Sequence, residues 1–118
     1  MMRERRGQEM AYEQDGINQI EVNELLEIYE VKSEETVLLD VREQDEYNEG
    51  HIPGVKFLPM SEFVERYEKE LDSSKKYVVI CRSGNRSQKV CRFLQDQGFA
   101  DVTNYAGGML EWMGDIEK

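Results

Sequence analysis

The residue of this chain best placed to do chemistry is a cysteine between an apolar strand and a short polar loop. The apolar run 77–80 leads into Cys81, residues 82–87 are small, polar or cationic, and a helical pattern follows over 90–94. A strand, a small-residue loop and a helix start together form an anion site, because backbone N–H groups converge there and the helix dipole adds positive potential. A cysteine at the head of such a loop has a stabilised thiolate, so its pKa should fall below that of a free thiol. The segment therefore predicts a nucleophilic cysteine that faces an anionic substrate.

The loop itself supplies the candidates for substrate binding. They are Arg82, Ser83, Gly84, Asn85, Arg86 and Ser87. The serine, glycine and asparagine at its centre tolerate unusual backbone angles, and the glycine allows the backbone to approach a ligand closely. The two arginines add cationic hydrogen-bond donors that core packing does not require. A lone cysteine at a strand end is often only a small buried hydrophobic residue, but the composition of this loop favours the nucleophile.

The second cysteine is predicted to be a packing residue. Cys91 shares one arc of a helix with Val90, Phe93 and Leu94, so we expect it in the core or at its margin, not as a resolving thiol. A disulfide with Cys81 is not expected, since that residue ends a strand while Cys91 lies inside the following helix. One histidine and two distant cysteines do not have the spacing of a zinc site. We therefore predict no metal and no cofactor.

Charge and hydropathy limit the partners. The net charge of −10 argues against nucleic acid, which requires a basic face. Six cations are nevertheless expected to surround the cysteine and to form a basic edge: Lys75, Lys76, Arg82, Arg86, Lys89 and Arg92. No run approaches the length of a membrane span, and the basic start of the chain has no apolar stretch behind it, as a secretory signal would. We expect a cytoplasmic protein without a membrane partner.

The elements that must position the site follow an αβ alternation. Residues 1–16 are predicted to be a polar N-terminal tail and residues 17–118 a single domain. Strands are expected over 36–41, 55–58, 76–81 and 102–104. Helices are expected from Val22 to Tyr29, after an N-cap at Ser61, and over 86–97, where Gly98 ends the helix. A polar turn with helical character is expected over 42–49 and a closing helical turn over 109–113. Strands separated by helices indicate a mainly parallel sheet with helices on both faces, and the site of such a sheet lies beyond the carboxyl ends of its strands. Asp40 and Arg42 end a neighbouring strand and are expected to reach the edge that carries Cys81.

Four patches of the chain carry a family resemblance. They are Leu38-Leu39-Asp40-Val41-Arg42, Glu49-Gly50-His51-Ile52-Pro53-Gly54-Val55, the Cys81 loop, and Tyr105-Ala106-Gly107-Gly108-Met109-Leu110-Glu111-Trp112. With these patches in this order, the sequence resembles the rhodanese family of sulfurtransferases from about Ile20 to Trp112. The resemblance implies a rhodanese-like three-layer domain.

The same resemblance implies a persulfide mechanism. The thiolate of Cys81 would take a sulfane sulfur from thiosulfate or a persulfide donor and pass it to an acceptor. That acceptor would be cyanide or a thiol, such as thioredoxin, glutathione or a sulfur-accepting protein. Asp40 and Arg42 would shape the site without attacking the substrate, and His51, in the Gly-His-Ile-Pro-Gly turn, would have a structural role.

Two other function classes remain open at this point. Cysteine-dependent phosphatases and arsenate reductases use a related loop, but phosphatases have one more residue between nucleophile and arginine than the four that separate Cys81 from Arg86. The chain also has Ile80 before the cysteine, where those phosphatases have a histidine. Rhodanese-like domains also serve as non-catalytic binding or regulatory modules, and fold alone does not prove activity. Those modules have lost the cysteine, whereas this chain keeps it with both loop arginines.

Overall fold

The computed structural model describes residues 12–118, which form one sheet covered by helices. The strands are Tyr12–Gln14 (β1), Ile17–Ile20 (β2), Thr36–Asp40 (β3), Lys56–Phe57 (β4), Lys76–Ile80 (β5) and Val102–Tyr105 (β6). The helices are Val22–Val31 (α1), Gln44–Glu49 (α2), Phe63–Glu70 (α3), Asn85–Asp96 (α4) and Gly108–Glu111 (α5), with a 3-10 turn at Met60–Glu62. No helix between residues 12 and 118 is long and apolar enough to cross a membrane.

The strand order places the strand of the candidate nucleophile at the centre of the sheet. The order is β1-β2-β6-β5-β3-β4, and every neighbouring pair is parallel except β1 and β2. The strand β5 therefore has β6 on one side and β3 on the other. Parallel strands with helices on both faces confirm the predicted α/β class.

Two apolar cores lie on the two faces of the sheet. Side chains alternate along β5, so that Val79 packs with the residues of α3 and α4 while Ile80 packs with those of α1 and the C-terminal segment. Leu94 anchors α4 in the first core, and Leu25 anchors α1 in the second. Cys81 continues the alternation into the first core, so its side chain points towards α4.

The N-terminal part of the described chain is a hairpin that the sequence did not suggest. β1 lies inside the segment predicted to be a tail, so three residues of that segment belong to the sheet. The part of the prediction that concerns residues 1–11 lies outside the described residues. Asp15 and Gly16, both with positive φ, join β1 to β2 in a two-residue turn. Side chains of α4 hold this hairpin, since Gln88 donates to the carbonyl of Gln14 at 3.0 Å.

The start of α3 also differs from the prediction, which made Ser61 its N-cap. The helix begins at Phe63 after Glu62, and the preceding residues form the 3-10 turn. The Ser61 hydroxyl instead donates to Glu43 Oε1 at 2.6 Å, and the Ser61 N–H donates to Glu43 Oε2 at 3.1 Å. A contact with a distant carboxylate has replaced the local cap.

Candidate active site

The loop that carries Cys81 is fixed by close backbone packing. Cys81 is the first residue after β5, and α4 begins four residues later at Asn85. Gly84 has φ +94°, and a Cβ there would lie 2.2 Å from the carbonyl oxygen of Ala106, so another side chain would not fit. The chain after β6 thus presses directly against the loop.

A second backbone contact joins the loop to α5. The N–H of Met109 donates to the carbonyl of Cys81 at 2.8 Å, and the N–H of Leu110 donates to the carbonyl of Arg82 at 3.0 Å. A Cβ on Gly108 would lie 2.2 Å from the Arg82 oxygen, which explains the glycine at the start of α5. These contacts fix the direction in which the loop leaves the sheet.

The sulfur of Cys81 lies among hydrogen-bond donors. The N–H groups of Gly84 and Ser87 point at Sγ, with N···S distances of 3.1 and 3.4 Å, and the Ser87 hydroxyl oxygen is 3.3 Å from it. Burial is the largest single influence on the Cys81 pKa and raises it. The Ser87 hydroxyl and the N–H groups of Ser87, Ser83 and Gly84 outweigh burial, so the pKa lies below its ordinary value. This environment favours a thiolate.

The Ser87 hydroxyl belongs to a buried polar network that the sequence interpretation missed. It donates to Oδ1 of Asn104. Nδ2 of Asn104 in turn donates to the carbonyl of Gly84 at 3.1 Å and to Gln19 Oε1 at 2.9 Å. These two acceptors fix the amide of Asn104 with its oxygen towards Ser87. Ser87, Asn104 and Gln19 are all at least 97% buried. The signal in the sequence was the presence of the amide side chains of Gln19 and Asn104 next to apolar residues.

Ser87 has one hydroxyl proton for two acceptors. While the sulfur is protonated, the hydroxyl donates to Asn104 and can accept from the thiol, because the Asn104 oxygen has no other donor in this network. When the thiolate forms, the hydroxyl can turn to the sulfur, at the cost of its bond to Asn104. The network therefore supplies a donor that responds to the charge of Cys81.

Arg86, predicted to bind an anionic substrate, is already bound to a carboxylate. Its Nη1 and Nη2 donate to Oε1 and Oε2 of Glu46, each at 2.8 Å. The Arg86 hydrogen bonds are the largest influence on the pKa of Glu46 and lower it to about 2. The sequence interpretation missed Glu46, which lies on α2, forty residues from its partner.

The remaining loop side chains face solvent. Arg82, Ser83 and Asn85 are exposed, and the guanidinium of Arg82 has no hydrogen bond or ion pair with any other residue between 12 and 118. Of the two loop arginines, Arg86 is paired with Glu46, whereas the charge of Arg82 is not compensated by any residue between 12 and 118.

Asp40 and Arg42 form a buried ion pair beside the loop. Arg42 Nε and Nη2 donate to the Asp40 carboxylate at 3.0 and 2.8 Å. Arg42 also donates to the carbonyl of Glu46 at 3.3 Å and to the carbonyl of Gly50 at 2.9 Å. Glu46 lies within α2, and Gly50 directly follows this helix. The pair thus holds the helix that carries Glu46.

The two other titratable residues considered above have positions that suit structural roles. Cys91 is completely buried in the first core, and burial, with a smaller contribution from Cys81, raises its pKa to about 12. The His51 ring stacks on Tyr47 with ring centroids 3.7 Å apart, and its Nε2 is 3.5 Å from Glu117 Oε1.

The predicted basic edge is smaller than the sequence suggested. Lys75 and Lys76 precede or begin β5, so the length of a strand, roughly 16 Å, separates them from Cys81. Arg86 is neutralised by Glu46, and Arg92 donates to the carbonyl of Asp15. The prediction was wrong for the two lysines because it counted proximity in sequence along an extended strand. No group of three or more potential metal ligands occurs in residues 12–118.

Known proteins are similar to this chain in sequence and in fold. A family model described as Rhodanese-like domain matches residues 21–115, a range that contains the Cys81 loop and the Asp40–Arg42 pair. The putative sulfurtransferase YtwF of Bacillus subtilis is 48% identical over 84 residues, which cover 71% of this chain and 80% of that protein. The thiosulfate sulfurtransferase GlpE of Coxiella burnetii is 38% identical over 103 residues, which cover 87% of this chain and 89% of that protein. The solved structure of a rhodanese-like domain protein from Staphylococcus aureus has a TM-score of 0.74 and 30% identity, over 84% of this chain and 95% of that chain.

Proposed function

The chain belongs to the rhodanese family, whose relatives include sulfurtransferases, and on that premise we propose that it transfers sulfane sulfur through a persulfide on Cys81. One observation carries this proposal: two N–H groups and one hydroxyl surround Sγ within 3.4 Å. Such a set of donors stabilises a thiolate before the reaction and an anionic sulfur after it.

The first half-reaction loads the enzyme with sulfur. The Cys81 thiolate attacks the sulfane sulfur of the donor, and a new S–S bond forms as the old S–S bond breaks. The electron pair of the broken bond leaves with the rest of the donor, as sulfite from thiosulfate or as a thiolate from an organic persulfide. Cys81 then carries a persulfide anion, which the donors of Gly84 and Ser87 stabilise. The attack by the thiolate requires no general base, and the environment of Sγ favours this form of Cys81.

The second half-reaction regenerates the thiolate. A nucleophilic acceptor attacks the outer sulfur of the persulfide, and the S–S bond to Cys81 breaks with its electron pair returning to Sγ. With cyanide the product is thiocyanate, and with a thiol it is a new persulfide. The acceptors that we propose are small thiols such as glutathione, thioredoxin, or another sulfur-accepting protein. The cytoplasm, where thiols stay reduced, is the compartment that we propose for this cycle.

The loop and its support have separate roles in this proposal. Arg82, Ser83, Gly84, Asn85, Arg86 and Ser87 form the substrate-binding loop. Asp40 and Arg42 do not contact the reacting sulfur; they hold α2 and the chain end of β3 beside the loop. Thiosulfate is a reasonable donor because the related GlpE is a thiosulfate sulfurtransferase.

Intact-mass measurement tests the proposal. Incubation with thiosulfate should add one sulfur atom to the protein, and cyanide should remove it with the release of thiocyanate. Cys81→Ser should abolish both events, while Cys91→Ser, a matched change at the other cysteine, should retain most of the turnover. Sulfur uptake or wild-type turnover by Cys81→Ser would refute the assignment. Wild-type protein that hydrolyses aryl phosphates but accepts sulfur from no donor would belong to the phosphatase class.

A further inference from the structure

The carboxylate of Glu46 compensates the charge of Arg86 and so disfavours an anionic substrate at the loop. We propose that Glu46 is a specificity-determining residue, which makes the site prefer alkyl persulfides, with one negative charge, over the thiosulfate dianion. The inference rests on the proposed function and adds to it the chemical class of the preferred donor.

The pairing between Glu46 and Arg86 is fixed from several directions. Both carboxylate oxygens accept from the guanidinium at 2.8 Å, and Oε1 also accepts from the N–H of Glu43 at 3.0 Å. The backbone of Glu46 is held in turn by Arg42. A carboxylate with this many partners is not free to swing away when a substrate arrives, so Arg86 meets the donor as half of an ion pair.

Partial burial makes this pairing relevant to the substrate. The Arg86 and Glu46 side chains are 32% and 26% exposed, so water screens their charges only in part. Because the pair is neutral overall, Arg82 is the one loop residue between 12 and 118 with an uncompensated positive charge, and Lys89 of α4 lies beside the loop. The pairing of Arg86 therefore lowers the positive charge that the site offers to a dianion.

The charge of the reacting system differs between the two donor classes. A thiolate and thiosulfate together carry three negative charges, which end as a persulfide anion and sulfite. A thiolate and an alkyl persulfide anion carry two, which end as a persulfide anion and an alkyl thiolate. In both cases the donor S–S bond breaks and its electron pair leaves with the departing group. Glu46 cancels the attraction that Arg86 would otherwise exert on either system, and this loss of attraction weighs more on the first system, which carries more negative charge.

The test compares two donors in matched variants. Glu46→Gln keeps the size of the side chain and one acceptor oxygen but removes the charge. Glu49→Gln makes the same change on an exposed residue of the same helix that has no hydrogen bond or ion pair with Arg86. We expect Glu46→Gln to raise kcat/KM for thiosulfate about tenfold and that for cysteine persulfide less than about threefold. Glu49→Gln should leave the ratio of the two values unchanged.

A double variant separates charge from loop shape. Replacing Glu46 and Arg86 together by glutamine restores a neutral pair, so the ratio for the two donors should return to within about threefold of the wild-type ratio. An unchanged ratio in Glu46→Gln, or an equal fall for both donors, would overturn the inference, as would a double variant that keeps the altered ratio. These outcomes leave the proposed function intact if the wild-type protein accepts sulfur from either donor. Wild-type protein that accepts sulfur from neither would overturn both.

Discussion

Removal of the Ser87 hydroxyl should slow the alkylation of Cys81 at pH values below the titration midpoint of the thiol. In the thiolate state this hydroxyl, 3.3 Å from Sγ, can donate to the sulfur, whereas in the thiol state it donates to Asn104. Ser87→Ala removes the hydroxyl and keeps the Ser87 N–H and the Gly84 N–H. The variant therefore loses one of the donors that lower the pKa of Cys81, and its thiolate fraction should fall.

The size of the effect is the difference between two hydrogen bonds. A bond to a charged acceptor contributes about 1.5–3 kcal/mol and a neutral bond about 0.5–1.5 kcal/mol. Ionisation exchanges the neutral bond to Asn104 for the charged bond to Cys81, so the net contribution is about 1 kcal/mol, which corresponds to about fivefold in the thiolate fraction.

The assay is the second-order rate of reaction with iodoacetamide across a range of pH. Cys91 should not contribute while the protein is folded, because burial raises its pKa to about 12, whereas the pKa of Cys81 is lowered. Ser87→Ala should react about fivefold more slowly than wild type on the acidic side of the midpoint and at the wild-type rate on the alkaline side. Ser73→Ala, which changes an exposed serine, is the control. Equal rates for Ser87→Ala and wild type at every pH would refute the role of the hydroxyl, and a uniform acceleration would show that the loop has opened instead.

Two further predictions concern stability. Asp40→Asn should lower the free energy of unfolding in urea by about 3 kcal/mol, because it leaves the Arg42 charge buried without its partner. Arg66→Gln, which breaks ion pairs that water screens, should cost much less, and equal losses would contradict the distinction. The pKa of Glu46 falls from 4.5 to about 2 on folding, so the stability from its pairing is complete above pH 4.5 and is lost as the pH falls towards 2. Thermal denaturation of Glu46→Gln should therefore depend less on pH over that interval, and an unchanged dependence would argue against the pairing with Arg86.

The elements around Cys81 could be predicted because their signals are local. An unbroken apolar run is typical of a strand buried on both faces, and the small residues after it predict a loop before the next helix. The structure has β5, the loop and α4 in this order. The same local reasoning correctly predicted that Cys91 faces the core.

The partners of the loop could not be predicted because they are distant in sequence. Glu46 pairs with Arg86 across forty residues, and nothing near Arg86 reveals that its charge is compensated. Gln19 and Asn104 become direct neighbours only because β2 and β6 pair in parallel register. The sequence shows that these strands contain polar residues, but it does not show that the two strands are neighbours. Only the strand order places Gln19 and Asn104 next to each other beside the loop.

The hairpin β1–β2 has a consequence for the use of this domain as a module. The family match begins at residue 21, after both strands, although β2 covers one side of β6. A fragment cut at that boundary would turn β6 into an edge strand, with unpaired N–H and C=O groups open to strand addition by a second molecule. It would also lose Gln19, and with it one of the acceptors that orient Asn104. Self-association of such a fragment would result from the truncation and would not be a property of the longer chain. A fusion partner is therefore better joined ahead of Tyr12 than at residue 21.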